Sequence, residues 1–361
     1  MLTGNATPFA AIGFGDLHRD GMSMAVIAVR ASYALGADGA LVPANAQSVA
    51  LNDVYEGDSE RAPLLHVGDL IPYKPAADVT VLGYAYAPKG RAARSWDVGV
   101  AVGDRRARLR VHGPRSWEPA LHFLTPTWRL GEAAPAASVA LDYRLAAGGY
   151  HVGDAEGRHE ARNPIGPGIL RRDASRVGHP LRAPQLEAPG EPLSDPFAEP
   201  EPRGFGPVPP SWAWRERHLG TRDEAWQTER MPQMPADFSY RFFQCAHPDL
   251  IVPRLRGGEA VRLDGMVPGG GTVAFTLPDR ALVAHHRWRD GRAVAARLTL
   301  DGLHLDLRAP EGPWLAHLTW RGWVVRCPAY EGASLEAVPA REAEDLPGSG
   351  EHGLEQAEAE A

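Results

Sequence analysis

The chain has 361 residues, enough for a large buried core, and length alone favours two domains over one. Its 39 glycines and 33 prolines suit short strands joined by many turns, and two cysteines are too few for a disulfide framework. The formal net charge of −7 equals that of Ala333–Ala361, which holds eight acids against Arg341; the rest is balanced, with no overall positive field for nucleic acid or an anionic membrane.

The start MLTGNATPFAAIGFGD lacks a basic region followed by a long apolar run, and no apolar run approaches the ~20 residues that span a bilayer. A cytoplasmic protein is expected. In chain order, Phe9–Phe14 reads as a strand and Asp20-Gly21 as a turn. Met24–Tyr33, apolar on both faces, reads as a central strand covered on both sides. Arg30 within it is expected to point outward at a strand end, because burying an unpaired guanidinium is costly. Leu51–Tyr55 and Val67–Ile71 are further short strands.

Asp78–Ala87, Trp96–Val102 and Ala107–Val111 read as a three-stranded antiparallel meander turning at Pro88-Lys89-Gly90 and Gly103-Asp104. Ala107, Leu109 and Val111 share one face, and Arg106, Arg108 and Arg110 form a basic stripe on the other. From Asn163 prolines recur too often for continuous sheet or helix; Phe205, Trp212 and Trp214 favour a segment wrapped over the sheets. Thr221-Arg222-Asp223-Glu224 fits a capping box with Thr221 at the N-cap, for a helix of about two turns ending at Met231-Pro232. Beyond Glu259 alternation returns, with hairpin turns expected at Asp290-Gly291 and Asp301-Gly302 and a closing strand at Trp314–Val325.

The expected fold is mainly β: two antiparallel sandwich or barrel-like sheets with few short helices. The expected divisions are an N-terminal β domain over 1–162, an irregular Pro/Trp-rich connection over 163–240, a C-terminal β domain over 241–332, and a disordered acidic tail over 333–361.

Several stretches resemble a bacterial family of unknown function encoded in type VI secretion loci beside the spike protein VgrG and PAAR tip proteins. They are GDLIPYKPAADV (Gly68–Val79), GYAYAPKG (Gly83–Gly90), and the span from WDVGVAVG at Trp96 to HGPRSW ending at Trp117. The likeness extends to NATPFA (Asn5–Ala10), DVYEGD (Asp53–Asp58), NPIGPG (Asn163–Gly168), GTRDEAW (Gly220–Trp226) and MPADFSYRFFQCA (Met234–Ala246). The resemblance implies a non-enzymatic adaptor or chaperone that helps load a toxic effector onto the spike, and it brings no catalytic residues. It also directs attention to two loops, Asn163, Pro164, Gly166 and Gly168, and Gly220, Thr221, Asp223 and Trp226, as one surface gripping an effector or its VgrG or PAAR carrier. The family usually has a tyrosine where Arg222 stands.

The residues themselves suggest little chemistry. His285 and His286, adjacent on a strand, point to opposite faces and cannot chelate one ion together. His304 and Asp306 share a face opposite Leu303, Leu305 and Leu307, the pattern of a half-solvated strand. Gly269-Gly270-Gly271 and NPIGPG lack the Lys-Ser/Thr and following helix of a phosphate cradle. Cys245 sits in an apolar run as a small core residue. No metal and no cofactor is expected. The enzymatic alternative is a hydrolase acting on a sugar polymer through Asp53, Glu56 and Asp58, since paired carboxylates can act as acid and base.

Overall fold

A thirteen-residue strand, Ser23–Leu35, forms the spine of the fold, with Ala25–Val29 and Ala31–Tyr33 buried. The computed structural model describes residues 1–57, 62–123, 125–171 and 179–350. Along its full length Ser23–Leu35 pairs antiparallel with Trp314–Val325, and its other edge takes Ala10–Leu17 and Leu41–Pro43. Trp314–Val325 pairs onward with Thr299–Asp306, which lies parallel to Ala77–Leu82; Ile251–Val252 closes the seven-stranded sheet. A five-stranded sheet sets the hairpin Ser95–Val102 and Arg105–His112 against Ala260–Val267 and Gly271–Thr276. A four-stranded sheet runs Leu2–Asn5, Tyr330–Pro339, Arg280–Trp288, Ala293–Arg297. The fold is mainly β with several antiparallel sheets, and none closes into a barrel.

Alternation places the core. Trp314, Ala316, Leu318 and Trp320 on one strand meet Leu303, Leu305 and Leu307 on the next, and all are buried. They join Val98, Val100 and Leu109 of the five-stranded sheet in one cluster. The Pro-rich middle is part of this core: Phe205, Val208 and Trp212 are nearly inaccessible. Phe205 accepts from the Val81 amide at 2.7 Å, and the Val208 amide donates to Cys245 at 2.7 Å.

Several expectations need correction. The boundaries at 162 and 241 do not separate the sheets, because Ala77–Leu82 pairs with Thr299–Asp306 and Ser95–Val102 with Ala260–Val267. Alternation marks a strand but not its partner. For the same reason the meander fails as a unit: Ala77–Leu82 and the hairpin at Gly103 lie in different sheets. Asp301-Gly302 is a bulge inside a strand, with Asp301 buried. Val67–Ile71 forms no strand, and Leu64–His66 does.

The acidic stretch also departs from expectation. Tyr330–Pro339 is a strand between Leu2–Asn5 and Arg280–Trp288, burying Ala333 and Leu335, and Ala343 packs behind it. Glu331 and Glu336 on this strand are exposed while Ala333 and Leu335 are buried, so charge and burial coexist. Residues 351–361 lie outside the described residues. Leu335→Ala should therefore destabilise the protein by about 2–5 kcal/mol in urea unfolding, as truncation of a buried leucine does; an unchanged midpoint would mean this strand is not part of the cooperative fold.

Candidate functional site: a covered polar face and an arginine-rimmed cleft

The seven-stranded sheet is apolar on one face and polar on the other. On the polar face Thr80, His304, His317 and Ser32 stand in register across four adjacent strands. Thr80 Oγ1 and His304 Nδ1 are 2.8 Å apart, as are Ser32 Oγ and His317 Nδ1. His66, from the segment that covers this face, completes a cluster with ring centroids 5.2 Å from His304 and 6.2 Å from His317. The strand of His304 and Asp306 is therefore roofed by chain rather than half-solvated. Among the described residues no group of three or more His, Cys, Asp or Glu side chains is arranged to hold a metal ion.

Beside the histidines lies a layer of buried charge. Arg30, expected to point outward, is 5 % exposed and reaches Asp69 of the roof at 3.4 Å. A paired charge can be buried where an unpaired one cannot. Arg321 pairs with Asp301 and donates to the Asp69 carbonyl at 3.3 Å. Lys74 Nζ lies 2.8 Å from Asp78. Asp78 also accepts from Gln244 Nε2 at 2.8 Å, the Cys245 amide at 3.0 Å and the Ala246 amide at 3.1 Å. GDLIPYKPAADV and the FFQCA end of the later motif thus meet at one carboxylate.

Burial alone would raise the Asp78 carboxyl, but Lys74, the Cys245 amide and Gln244 hold it below its ordinary value. Burial and the Asp78 charge push the Cys245 thiol up to about 12, so it is no ready nucleophile. The cavity inside this layer is about 40 Å³, too small for an organic substrate. Its charges are spent on one another, and the layer acts as a polar core that fixes strand order.

The sequence-selected loops lie elsewhere. Asn163 is completely buried and donates to the carbonyls of Tyr143 and Ala147, both at 2.8 Å. It is a structural clamp and offers no side chain to a partner. Pro164, Gly166 and Gly168 are partly exposed, and Gly166 sits so close to Gly148 that an added Cβ would lie 2.4 Å from its carbonyl carbon. Gly220, at φ +77°, approaches Asp237, which accepts from the amide and the hydroxyl of Thr221 at 2.8 Å each. The cap of the following turn is Asp223, accepting from the Trp226 amide at 2.9 Å, so Thr221 is not the N-cap. Thr221 is already engaged by a residue distant in sequence, which pattern matching could not reveal. Trp226 is half-buried, donates to the Gln233 carbonyl at 2.9 Å, and has the Arg222 guanidinium over its ring at 5.6 Å.

Among the described residues, two carboxylates of the hydrolase alternative are engaged by other groups. Asp53 accepts from the Gly68 amide at 2.8 Å, Glu56 pairs with Arg144, and Asp58 lies outside the described residues. His285 and His286 diverge as expected, to Glu336 and to Tyr330.

A feature that sequence reasoning missed is an open cleft of about 910 Å³. Trp320 and Trp323 stand at its base, Tyr73 and Tyr240 line it, and Arg19, Arg241, Arg254, Arg256, Arg280 and Arg297 ring it, against Asp20 and Glu344. Arg241, Arg254, Arg256 and Arg280 are exposed and carry no ion pair among the described residues. The turn containing Trp226 is tied to one residue of the cleft lining: Arg230 donates to the Arg19 carbonyl at 2.6 Å. These arginines come from separate segments, so no local motif announced them. The basic stripe predicted on the outer hairpin is, by contrast, partly neutralised: Arg108 and Arg110 both pair with Asp97.

Two outcomes follow from this arrangement. Lys74→Met leaves Asp78 charged and without its ammonium, and should destabilise by about 3–5 kcal/mol, whereas Lys74→Met with Asp78→Asn, which removes the charge and keeps an acceptor for Gln244 and the Ala246 amide, should recover part of that loss; equal losses in urea unfolding for the single and double variants would contradict the pairing. The second concerns pH. Burial lowers His66 to about 4 and His317 to about 3, with Arg30 adding to both, and lowers His304 well below its usual range. The unfolded chain binds these protons near pH 6.5, so stability is fully present above about that value and falls as pH drops toward 4 and 3. The urea midpoint should fall over that window, and His66→Gln should flatten the fall; a midpoint constant from pH 6.5 to 4 would show that the cluster is open to solvent.

Over residues 20–321 the chain matches a family described as an uncharacterized protein conserved in bacteria, DUF2169, and it belongs to that family. No curated protein and no solved structure matches it. No helix among the described residues is long and apolar enough to cross a membrane.

Proposed function

We propose that this member of the bacterial family is a non-enzymatic adaptor or chaperone of a type VI secretion system. In this reading it acts in the cytoplasm, binds a cognate effector or the PAAR or VgrG protein that carries it, and helps load that cargo onto the spike. The link to secretion comes from the motif resemblance. The observation that supports a binding role is the open cleft, whose rim presents four exposed arginines that carry no ion pair among the described residues. Exposed arginine and tryptophan are the side chains that most often anchor protein interfaces. The buried ion pairs, by contrast, are closed to a substrate and serve the scaffold.

Of the two loops read as one gripping surface, the Gly220–Trp226 loop leads into Arg230, which bonds the cleft-lining Arg19; the NPIGPG loop folds onto Tyr143–Gly149. Trp226→Ala is therefore expected to weaken capture of the native partner by about 2 kcal/mol, roughly thirtyfold. Its stability loss should stay below the ~3–5 kcal/mol typical of a fully buried tryptophan. Co-purification from the native host with peptide identification, together with thermal unfolding of the same variant, checks both. Undiminished capture by a stable variant, or a captured set without any spike, tip or effector protein, would overturn the reading.

A further inference from the structure

The cleft also specifies what kind of segment enters it. Arg241 follows the Ser239 turn, Arg254 and Arg256 flank the bridge between Leu255 and Leu300, and Arg280 opens a strand of the four-stranded sheet. The charges therefore come to the lining from three separate segments of the chain. A guanidinium fork matches a carboxylate with two parallel hydrogen bonds, so several exposed arginines suit several acidic side chains. At about 910 Å³ the space suits a ligand of several residues, and Tyr73, 38 % exposed, and part-buried Tyr240 give apolar side chains something to pack on.

The fold itself shows that extended chain fits here. Residues 347–349 lie along the wall through one isolated bridge: the Arg297 amide donates to the Pro347 carbonyl at 3.0 Å, and the Ser349 amide donates to the Arg297 carbonyl at 2.9 Å. Pairing is parallel through Arg297 and Gly348. Addition of a strand to a sheet edge is a general way to hold peptides, with main-chain bonds supplying affinity and side-chain pockets supplying selectivity.

We propose that the cleft binds an extended, acidic peptide segment of a partner protein, with the exposed arginines as its carboxylate receptors. This rests on the adaptor reading and gives its partner a chemistry. Because the charges are exposed, association should be fast and strongly weakened by salt.

The test is fluorescence polarisation of fluorescein-labelled octaglutamate against the full chain, with octaglutamine as the neutral control. Octaglutamate should bind and octaglutamine should not. Arg254→Glu with Arg256→Glu should weaken binding by at least about tenfold at unchanged thermal stability, because the lost contacts are multiple and charged. Arg106→Glu with Arg108→Glu, on the outer hairpin, should leave it unchanged. No octaglutamate binding, or equal loss in both double variants, would overturn the proposal. So would displacement by tripolyphosphate as effective as by unlabelled octaglutamate, since charge alone would then suffice. Binding seen only after removal of residues 351–361 would make that acidic segment, and not a partner's, the occupant. Native-partner capture undiminished by the cleft double variant would sink the cleft's role and leave the adaptor reading standing. Octaglutamate binding without any captured partner would do the reverse.

Discussion

The structure depends on one buried carboxylate. Asp78 is 2 % exposed and would be intolerable there alone, so the chain must deliver Lys74, Gln244 and two backbone amides to it before the sheet can close. Meeting that demand ties together parts of the sequence more than 160 residues apart. It also traps the Pro-rich crossing, because the Cys245 carbonyl that follows the Asp78 contacts receives the Val208 amide. A purely apolar interface would tolerate many arrangements of these segments; a charge that must find particular donors tolerates few.

This constraint reaches the cleft through Lys74. Its ammonium is held in the buried layer, while Tyr73, Lys74 and Pro75 also form part of the cleft wall. The scaffold and the cleft wall are thus two sides of one turn. Rigid support behind a binding wall reduces the ordering that a ligand must impose on arrival, which is how a surface of modest size gains affinity.

What could be read from the sequence follows from which physics is local. The doubly covered Ser23–Leu35 strand, the Gly103 hairpin and the apolar face of Trp314–Val325 were legible because alternation and turn chemistry act over a few residues. Arg30 was misread because its value depends on Asp69, thirty-nine positions away, and Asp301-Gly302 because a bulge uses the same residues as a turn. The acidic stretch after Gly332 was misread by composition, although Ala333 and Leu335 already carry the alternation of a strand. The cleft was illegible for a simpler reason: its arginines belong to segments that share only a destination. The motifs GDLIPYKPAADV and MPADFSYRFFQCA contain Lys74, Asp78 and Gln244, yet the resemblance drew attention to the Asn163 and Gly220 loops, because nothing in a motif says that a carboxylate's role is to hold the fold.

One pairing bears on how the protein is made. Leu2–Asn5 lies alongside Ala333–Leu335, and Ser23–Leu35 alongside Trp314–Val325, so strands near the start of the chain await partners from near its end. At ribosomal speeds of roughly 5–20 residues per second, the earliest strands spend many seconds with open edges before their neighbours emerge. Ser23–Leu35, with its run of Val, Ile and Ala, is an aggregation-prone sequence in that interval. Escape from the nascent, unpaired condition thus comes late in synthesis, which makes this protein a natural client for holding chaperones while it is being made.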